Sequence, residues 1–328
     1  MSQRSELLTH WLSEVLNTSD FRLKPASEDA SFRSYHRLFL QEKTYIVMDA
    51  PPPQEDCTPF VQVTNTLLAC DINVPMIHHM NLQQGFLLLD DFGNDLYLDK
   101  LSSFSVKQLY SDAIHALVRM QSSAEVEKLP VYDDSLLRRE MQLFTEWLLK
   151  KHLNIELSNE QNKSMDLLSD LLVGNALEQP QSFVHRDFHS RNLMVTKLKN
   201  PGVIDYQDAV YGPVSYDLVS LLKDCYIEWP RKEIDVWLEF YLDLLEQNGT
   251  EIDRNKFRRW FDLMGVQRHL KASGIFARLS HRDGKHGFLN DIPRTLSYIV
   301  ALKADYEELL PLCSIIEESV LPEFKVFV

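Results

Sequence analysis

The chain has 328 residues, 45% of them hydrophobic and 25% charged, with a formal net charge of -14. That length admits one large domain or two lobes around a cleft, and the composition is that of a chain that buries a core, not of a disordered or collagen-like one. The acidic balance makes a nucleic-acid backbone or an anionic membrane an unfavourable partner, while a local basic pocket for an anionic small molecule remains compatible with it.

Leu7, Leu8, Trp11, Leu12, Val15 and Leu16 recur at helical spacing and predict an amphipathic helix ending near Asn17, with its apolar face against a sheet. From Phe21 to Asp49 the pattern shifts to short aromatic and β-branched segments, Phe32–Leu40 and Tyr45–Met48, expected as an antiparallel meander. Pro51, Pro52 and Pro53 break the chain, Pro59–Ala69 resumes helical periodicity, and Phe86–Leu89 is a further short apolar segment. Long helical stretches follow at 105–121, 134–152, 159–173, 215–226, 232–247 and 255–280. Among them stand three short apolar pieces, Ser182–Val184, Leu193–Thr196 and Gly202–Ile204, expected as strands that hold loops. The expectation is an α+β protein: a small antiparallel-sheet lobe over 1–92 and a mainly helical lobe over 93–328. Cys57, Cys70, Cys225 and Cys313 contain no C-x-x-C pair, so reduced thiols are expected. No run is long and apolar enough for a signal peptide or a membrane span, so a cytoplasmic protein with no membrane partner is the expectation.

The stretch His185-Arg186-Asp187-Phe188-His189-Ser190-Arg191-Asn192 fits H-R-D-x-x-x-x-N, the catalytic-loop pattern of phosphoryl transfer, and makes the two lobes protein-kinase-like. A carboxylate at Asp187 can orient a substrate hydroxyl and accept its proton, and the amide oxygen of Asn192 is a hard ligand suited to Mg2+. Asp205, at the end of Val203-Ile204, supplies the second metal ligand. Against this stands a surface turn with a strand-capping Asp205, which requires the full spacing to arise by accident. Asp208 has two open readings, a cleft acid that meets substrate or a turn residue. Asp217, in the first turn of a helix, suits capping, with support of the catalytic loop as its added role. Asp91-Phe92-Gly93 spells a metal-binding triplet but precedes the loop instead of following it, so Leu87–Asp91 is read as an inter-lobe connector, with Leu89, Asp90 and Asp91 at the nucleotide base and Gly93 turning the chain into the second lobe.

These motifs resemble the aminoglycoside phosphotransferase-like kinases, whose H-x-D-x-x-x-x-N loop and following I-D strand match Asp187, Asn192 and Asp205. Asp29-Ala30-Ser31-Phe32-Arg33-Ser34-Tyr35, the turn Val47–Pro52, Gln267-Arg268-His269-Leu270-Lys271 and Gly274–Leu279 are similar to the anomeric N-acetylmuramate and N-acetylglucosamine kinases of cell-wall recycling. The resemblance implies ATP- and Mg2+-dependent phosphorylation of a small amino sugar at its anomeric hydroxyl. Ser31, Phe32, Arg33 and Ser34 are the candidates for nucleotide contacts; His189 and Arg191, by their place in the loop, and Arg268, His269 and Arg278, in a late polar cluster with His281, Arg282 and Asp283, are the candidates at the sugar.

Two departures from the wider kinase pattern stand out. The phosphate-loop position reads Ser27–Ser31 without glycine, and Met48-Asp49 occupies the place of a phosphate-binding lysine. Arg33 and Arg37 are the candidate replacements, with solvent-facing side chains as the alternative reading. Two rival functions therefore stay open. One is a kinase for choline, homoserine or an aminoglycoside, and the other is a noncatalytic nucleotide-binding protein.

Overall fold

A computed structural model describes residues 3–28 and 32–324. The chain forms two compact units, one of Met1–Asp95 with Met194–Asp208 and one of Leu96–Leu193 with Ala209–Val328. This differs from the expected division at 92: the excursion Met194–Asp208 belongs with the N-terminal unit. Local bonds explain it. Val195 N donates to Asp95 O at 2.7 Å, Val203 N donates to Asn73 O at 2.8 Å, and the buried Tyr206 hydroxyl meets Thr64 Oγ1 at 2.9 Å.

In the first unit a helix, α1 (Gln3–Leu16), precedes strands β1 (Arg22–Glu28), β2 (Ser34–Leu40) and β3 (Lys43–Asp49), then α2 (Thr58–Ala69), β4 (Ile77–Asn81) and β5 (Phe86–Asp90). The sheet order is β1-β2-β3-β5-β4, antiparallel throughout. Strand alternation turns Leu38, Val47, Phe86 and Leu88 to one face, where they meet Leu8, Trp11 and Leu12 of α1. Each such side chain removed from water contributes about 1.5–3 kcal/mol, so the amphipathic helix and the sheet stabilise each other. The sequence pattern misses both edge strands. Pro25 sits at a register irregularity in β1, and β4 carries the exposed His78, His79 and Met80, features that suit an edge and obscure the alternation.

The second unit begins with α3 (Tyr97–Lys100), α4 (Val106–Ser123), α5 (Asp134–Leu143) and α6 (Asn159–Leu177). Four short strands follow in the chain, β6 (Gln181–Val184), β7 (Leu193–Met194), β8 (Gly202–Val203) and β9 (Val210–Pro213), of which β8 lies in the Met194–Asp208 excursion of the first unit and β7 at its boundary. β6 pairs antiparallel with β9, while β7 and β8 make a separate two-stranded sheet. β9 goes unread in the sequence because Gly212-Pro213 looks like a breaker, yet proline is tolerated at the end of an edge strand. The unit closes with α7 (Tyr216–Leu222), α8 (Arg231–Gln247), α9 (Arg254–Asp283), α10 (Ile292–Val300), α11 (Leu310–Ile315) and α12 (Leu321–Phe324).

Helix α9 is 30 residues long, starts on the Asp253 cap and stops at Gly284 in the left-handed conformation. It is buried on most of its circumference, so it is the axis of this unit. At Gly274 an added Cβ would come within 2.3 Å of the Leu143 carbonyl carbon, the point where α5 gives way to a widened π-turn segment, Phe144–His152. Only a residue without a side chain admits this backbone-to-backbone approach.

Candidate active site

β6 ends in Val184, opposite Val210 at the start of antiparallel β9, and the chain leaves β9 at Pro213 for α7, whose first turn carries a carboxylate to the loop after β6. Asp217 in that turn accepts from the main-chain N–H of His185 at 2.6 Å and of Arg186 at 3.0 Å. Its burial is complete, and burial lifts its pKa to about 6 against the opposing pull of His185 and the two N–H bonds. Ser215 stands at the N-cap position without a capping bond, its hydroxyl donating to Gln179 Oε1 at 2.7 Å, and Asp217 spends its carboxylate on the loop instead of on the helix. Arg186 adopts a left-handed φ of 76°, a conformation costing about 1–3 kcal/mol that persists only where surroundings over-determine it. Here they do, because its N–H is held by Asp217 and its guanidinium pairs with the buried Glu140.

Glu140 also accepts from the Tyr132 hydroxyl and lies 3.3 Å from the Lys271 ammonium, which in turn donates to the Tyr216 hydroxyl at 3.0 Å. Burial acts to protonate Glu140, but Lys271 and Arg186 outweigh it and keep the carboxylate ionised. A second buried acid, Asp224, accepts from Ser190 N and Tyr226 N at 2.9 Å each, fastening the far end of the loop. Sequence reasoning misses Glu140, Asp224 and Lys271. Asp224 does carry a signal: an acid just after the end of α7 opposes the helix dipole, which implies another task.

Between these supports Asp187 is presented to solvent. Its side chain is 43% accessible, and the ring nitrogen of His189, Nε2, is 4.0 Å from Oδ1. Among the described residues no hydrogen bond reaches the carboxylate. Burial of the surrounding pocket works to raise its pKa, yet Lys271, with His189, Arg268 and Arg186, holds it well below the usual carboxylate range. The group is therefore ionised at neutral pH and open to a hydroxyl donor. Asn192 is oriented by two bonds: its N–H donates to His189 O at 2.9 Å and its Nδ2 donates to Asp187 O at 3.1 Å, which directs the amide nitrogen inward.

His189 is buried, edge-on to Tyr226 at 5.2 Å, and burial lowers its pKa to about 4, so it is neutral at pH 7. The Arg191 guanidinium lies over Tyr226 at 4.4 Å and Phe288 at 5.3 Å. Arg268 is buried on α9, three residues before Lys271 and so on the same face. His269 is corrected by the structure. It is buried, bonded through Nε2 to Lys223 O at 2.9 Å and stacked on Tyr298 at 4.9 Å, a core histidine with no surface for a sugar. Arg278 lies ten positions beyond Arg268 on α9, so the two are separated along the axis by roughly 15 Å and do not converge.

The remaining expected residues lie in the first unit. Asp205 has a left-handed φ of 65° and its Oδ1 accepts from Gln207 Nε2 at 2.9 Å. A non-glycine residue held there is uncommon and marks a constrained position. Asp208 is exposed. Ser31 lies outside the described residues. Phe32 is 71% exposed, Ser34 opens β2, and Arg33 faces Glu55 at 3.8 Å. Leu89 is buried in β5, and Asp90 bonds to His78 at 2.7 Å. Asp91 pairs with Arg37 at 2.6 Å and accepts from Gly93 N at 2.9 Å, while Arg37 also reaches Asn94 and the Gly93 carbonyl. Gly93, at φ 87°, makes the turn. Arg37 is thereby committed to closing this turn and does not stand in for a phosphate-binding lysine. Asp49, at the lysine position, is neutralised by Arg4 of α1 at 2.9 Å.

Among the described residues no group of three or more His, Cys, Asp and Glu side chains forms a metal cage. Mg2+ does not require one, since it commonly takes one or two protein oxygens, waters and substrate phosphates. The amide oxygen of Asn192 and the carboxylate of Asp205 are donors of the right hardness.

A model of the phosphotransferase enzyme family matches residues 22–255. The chain is 44% identical over 328 aligned residues to an N-acetylmuramate/N-acetylglucosamine kinase of Pseudomonas putida, covering 96% of each chain. It is 46% identical over 292 residues to the kinase of the same name in Pseudomonas aeruginosa, covering 88% of this chain and 86% of that one. Among solved structures, the choline kinase LicA of Streptococcus pneumoniae superposes with a TM-score of 0.66 at 14% identity, over 93% of this chain and all of that one. An ADP-bound aminoglycoside phosphotransferase does so with a TM-score of 0.59 at 15% identity, over 89% and 97%. At those identities the structures bear on the fold alone, and the fold is kinase-like.

Proposed function

The chain belongs to the phosphotransferase enzyme family, and on that premise we propose that it transfers the γ-phosphoryl group of ATP to the anomeric hydroxyl of N-acetylmuramate and N-acetylglucosamine. The observation that carries the catalytic part is the Asp187 carboxylate, ionised and accessible yet without a hydrogen bond among the described residues, on a loop braced by Asp217, Glu140 and Asp224. The full-length similarity to the two Pseudomonas kinases carries the substrate part.

In this reading the C1 hydroxyl donates to Asp187, the hydroxyl oxygen forms a bond to the γ-phosphorus, and the bond to the bridging oxygen of ADP breaks. Asp187 takes the proton and the products are ADP and the sugar 1-phosphate. A carboxylate with so low a pKa is a weak base, so its main contribution is orientation, which suits a loose transition state in which the proton moves late. Asn192 and Asp205 would hold Mg2+, which supplies charge neutralisation at the phosphates. The four buried free thiols support a reducing, cytoplasmic setting for this ATP-dependent step.

The test is ADP release from Mg-ATP with a panel of N-acetylmuramate, N-acetylglucosamine, choline, homoserine and an aminoglycoside. The proposal expects the two amino sugars to lead by orders of magnitude. Turnover led by a cationic acceptor would overturn it.

A further inference from the structure

Arg268 is a guanidinium buried almost as deeply as a leucine and given scarcely anything to bind. The residue is 4% exposed, its Nη1 reaches only the Cys225 thiol at 3.5 Å, and its Nε is buried with no partner. No carboxylate among the described residues forms a hydrogen bond or ion pair with it. Burial alone works to strip the charge from Arg268, and the fields of the Cys225, Tyr216, Asp187 and Asp224 side chains sustain it. Arginine has five donors and stays protonated in proteins, so a nearly bare buried fork is costly unless a ligand completes it.

The neighbourhood repeats the pattern. His189 Nδ1 and Ser190 Oγ, both in the Asp187 loop, are buried without partners, and Arg268 and Asp224 both act electrostatically on His189. By contrast Arg186, Lys223 and Lys271 in the same unit each have a carboxylate within ion-pair distance. Arg268 reaches the Asp187 loop through Cys225, the chain neighbour of the Asp224 that holds Ser190 N, and Arg268 and Asp187 act on one another electrostatically.

We propose that Arg268 is the specificity residue for the acceptor, taking a substrate carboxylate and thereby favouring the lactyl-ether sugar over its neutral counterpart. The inference rests on the function proposed above. N-acetylmuramate differs from N-acetylglucosamine by an ether at O3 that ends in a carboxylate, and O3 and the anomeric hydroxyl lie on one pyranose ring. An arginine held beside the Asp187 loop can meet the first while the second engages the base. Carboxylate recognition by the planar fork is the geometry arginine supplies and lysine does not. The other cations nearby are less suited, because Arg191 stacks on Tyr226 and Phe288, and Arg294 is bonded to Asp291 and to the Cys225 carbonyl.

The experiment compares wild type, Arg268→Lys and Arg268→Gln by calorimetric binding and by turnover, with N-acetylmuramate, N-acetylglucosamine and 3-O-methyl-N-acetylglucosamine, which has the ether without the acid. Loss of a charge-assisted contact predicts that Arg268→Gln weakens N-acetylmuramate binding roughly ten- to a hundredfold more than binding of either neutral sugar, with Arg268→Lys between. Equal weakening on all three sugars, or no change in the ratio, overturns the assignment and leaves Arg268 a support of the fold. Melting temperature identifies a variant that fails to fold. If Arg268→Gln does, the ratio in Arg268→Lys decides. Binding needs no turnover, so a wild type that binds the acidic sugar selectively but phosphorylates none refutes the proposed reaction while the contact at Arg268 stands.

Discussion

The turn after β5 and the loop after β6 are each built around an aspartate, and they use it in opposite ways. Asp91 is 3% accessible and fully consumed: the Arg37 guanidinium and the Gly93 N–H close on it. Asp187 is 43% accessible and accepts no hydrogen bond among the described residues, although the cations that set its charge lie close by. In the first case the charge is spent on shaping the chain. In the second, neighbouring acids do the shaping and the charge is kept for a ligand. The same contrast separates Arg37, clasped by Asp91 and Asn94, from Arg268, which meets only a thiol. Reactivity sits where the fold leaves polar groups unfinished.

That contrast can be broken first at Asp187. Asp187→Asn keeps the shape and removes the carboxylate that orients the hydroxyl and takes its proton, so kcat falls by roughly 10²–10⁴ with little change in melting temperature. A drop in stability that accounts for the lost rate would make Asp187 another structural acid. The next effect is on folding. Glu140→Gln leaves Arg186 and Lys271 buried without their carboxylate, and urea denaturation should register a loss of about 3–5 kcal/mol. A value near zero would mean the network is not what holds the loop.

The pH dependence follows in size. Asp217 ionises near pH 6, whereas Asp187 stays ionised to much lower pH. As pH falls through about 6, Asp217 gains a proton and its two N–H contacts lose their charge assistance, so kcat declines severalfold on the acid side. Asp217→Asn should flatten that limb while lowering the plateau. The folding contributions have defined signs. For Asp217, with its folded pKa raised above 3.8, stability is present below 3.8 and lost as pH rises through 6. For His189, depressed from 6.5 to about 4, it is present above 6.5 and lost as pH falls through 4. The smallest effect belongs to the sheet: His78→Ala removes a partly exposed pair with Asp90, and calorimetry should find a cost of about 1 kcal/mol or less.

How much of this was legible in the sequence depends on how far apart the cooperating residues lie. Asp187 and Asn192 stand on one short loop, so chemistry and spacing are visible together. Asp205 is legible because it follows an apolar strand piece, and Asp217 because it is an acid in the first turn of a helix. Glu140 and Lys271 complete the loop from distant helices, and nothing local distinguishes them from surface charges. Arg37 and His269 show the converse. Both have the right chemistry for a ligand, but the turn at Gly93 consumes one and the core around Tyr298 consumes the other. Arg268 sits one residue from His269 and differs only in what surrounds it. The helical stretch over 134–152 is legible from periodicity, while its change to a π-turn at Phe144, beside the close passage at Gly274, is not, because both depend on a contact with a distant helix.

The most direct test of the account is the position of the transferred phosphate. A proton–phosphorus correlation spectrum of the product formed from N-acetylmuramate and Mg-ATP should connect the phosphorus to the anomeric proton H1, with no signal from an Asp187→Asn reaction run for the same time. Phosphorus coupled to the C6 protons, or product formed at the wild-type rate without the Asp187 carboxylate, would contradict it.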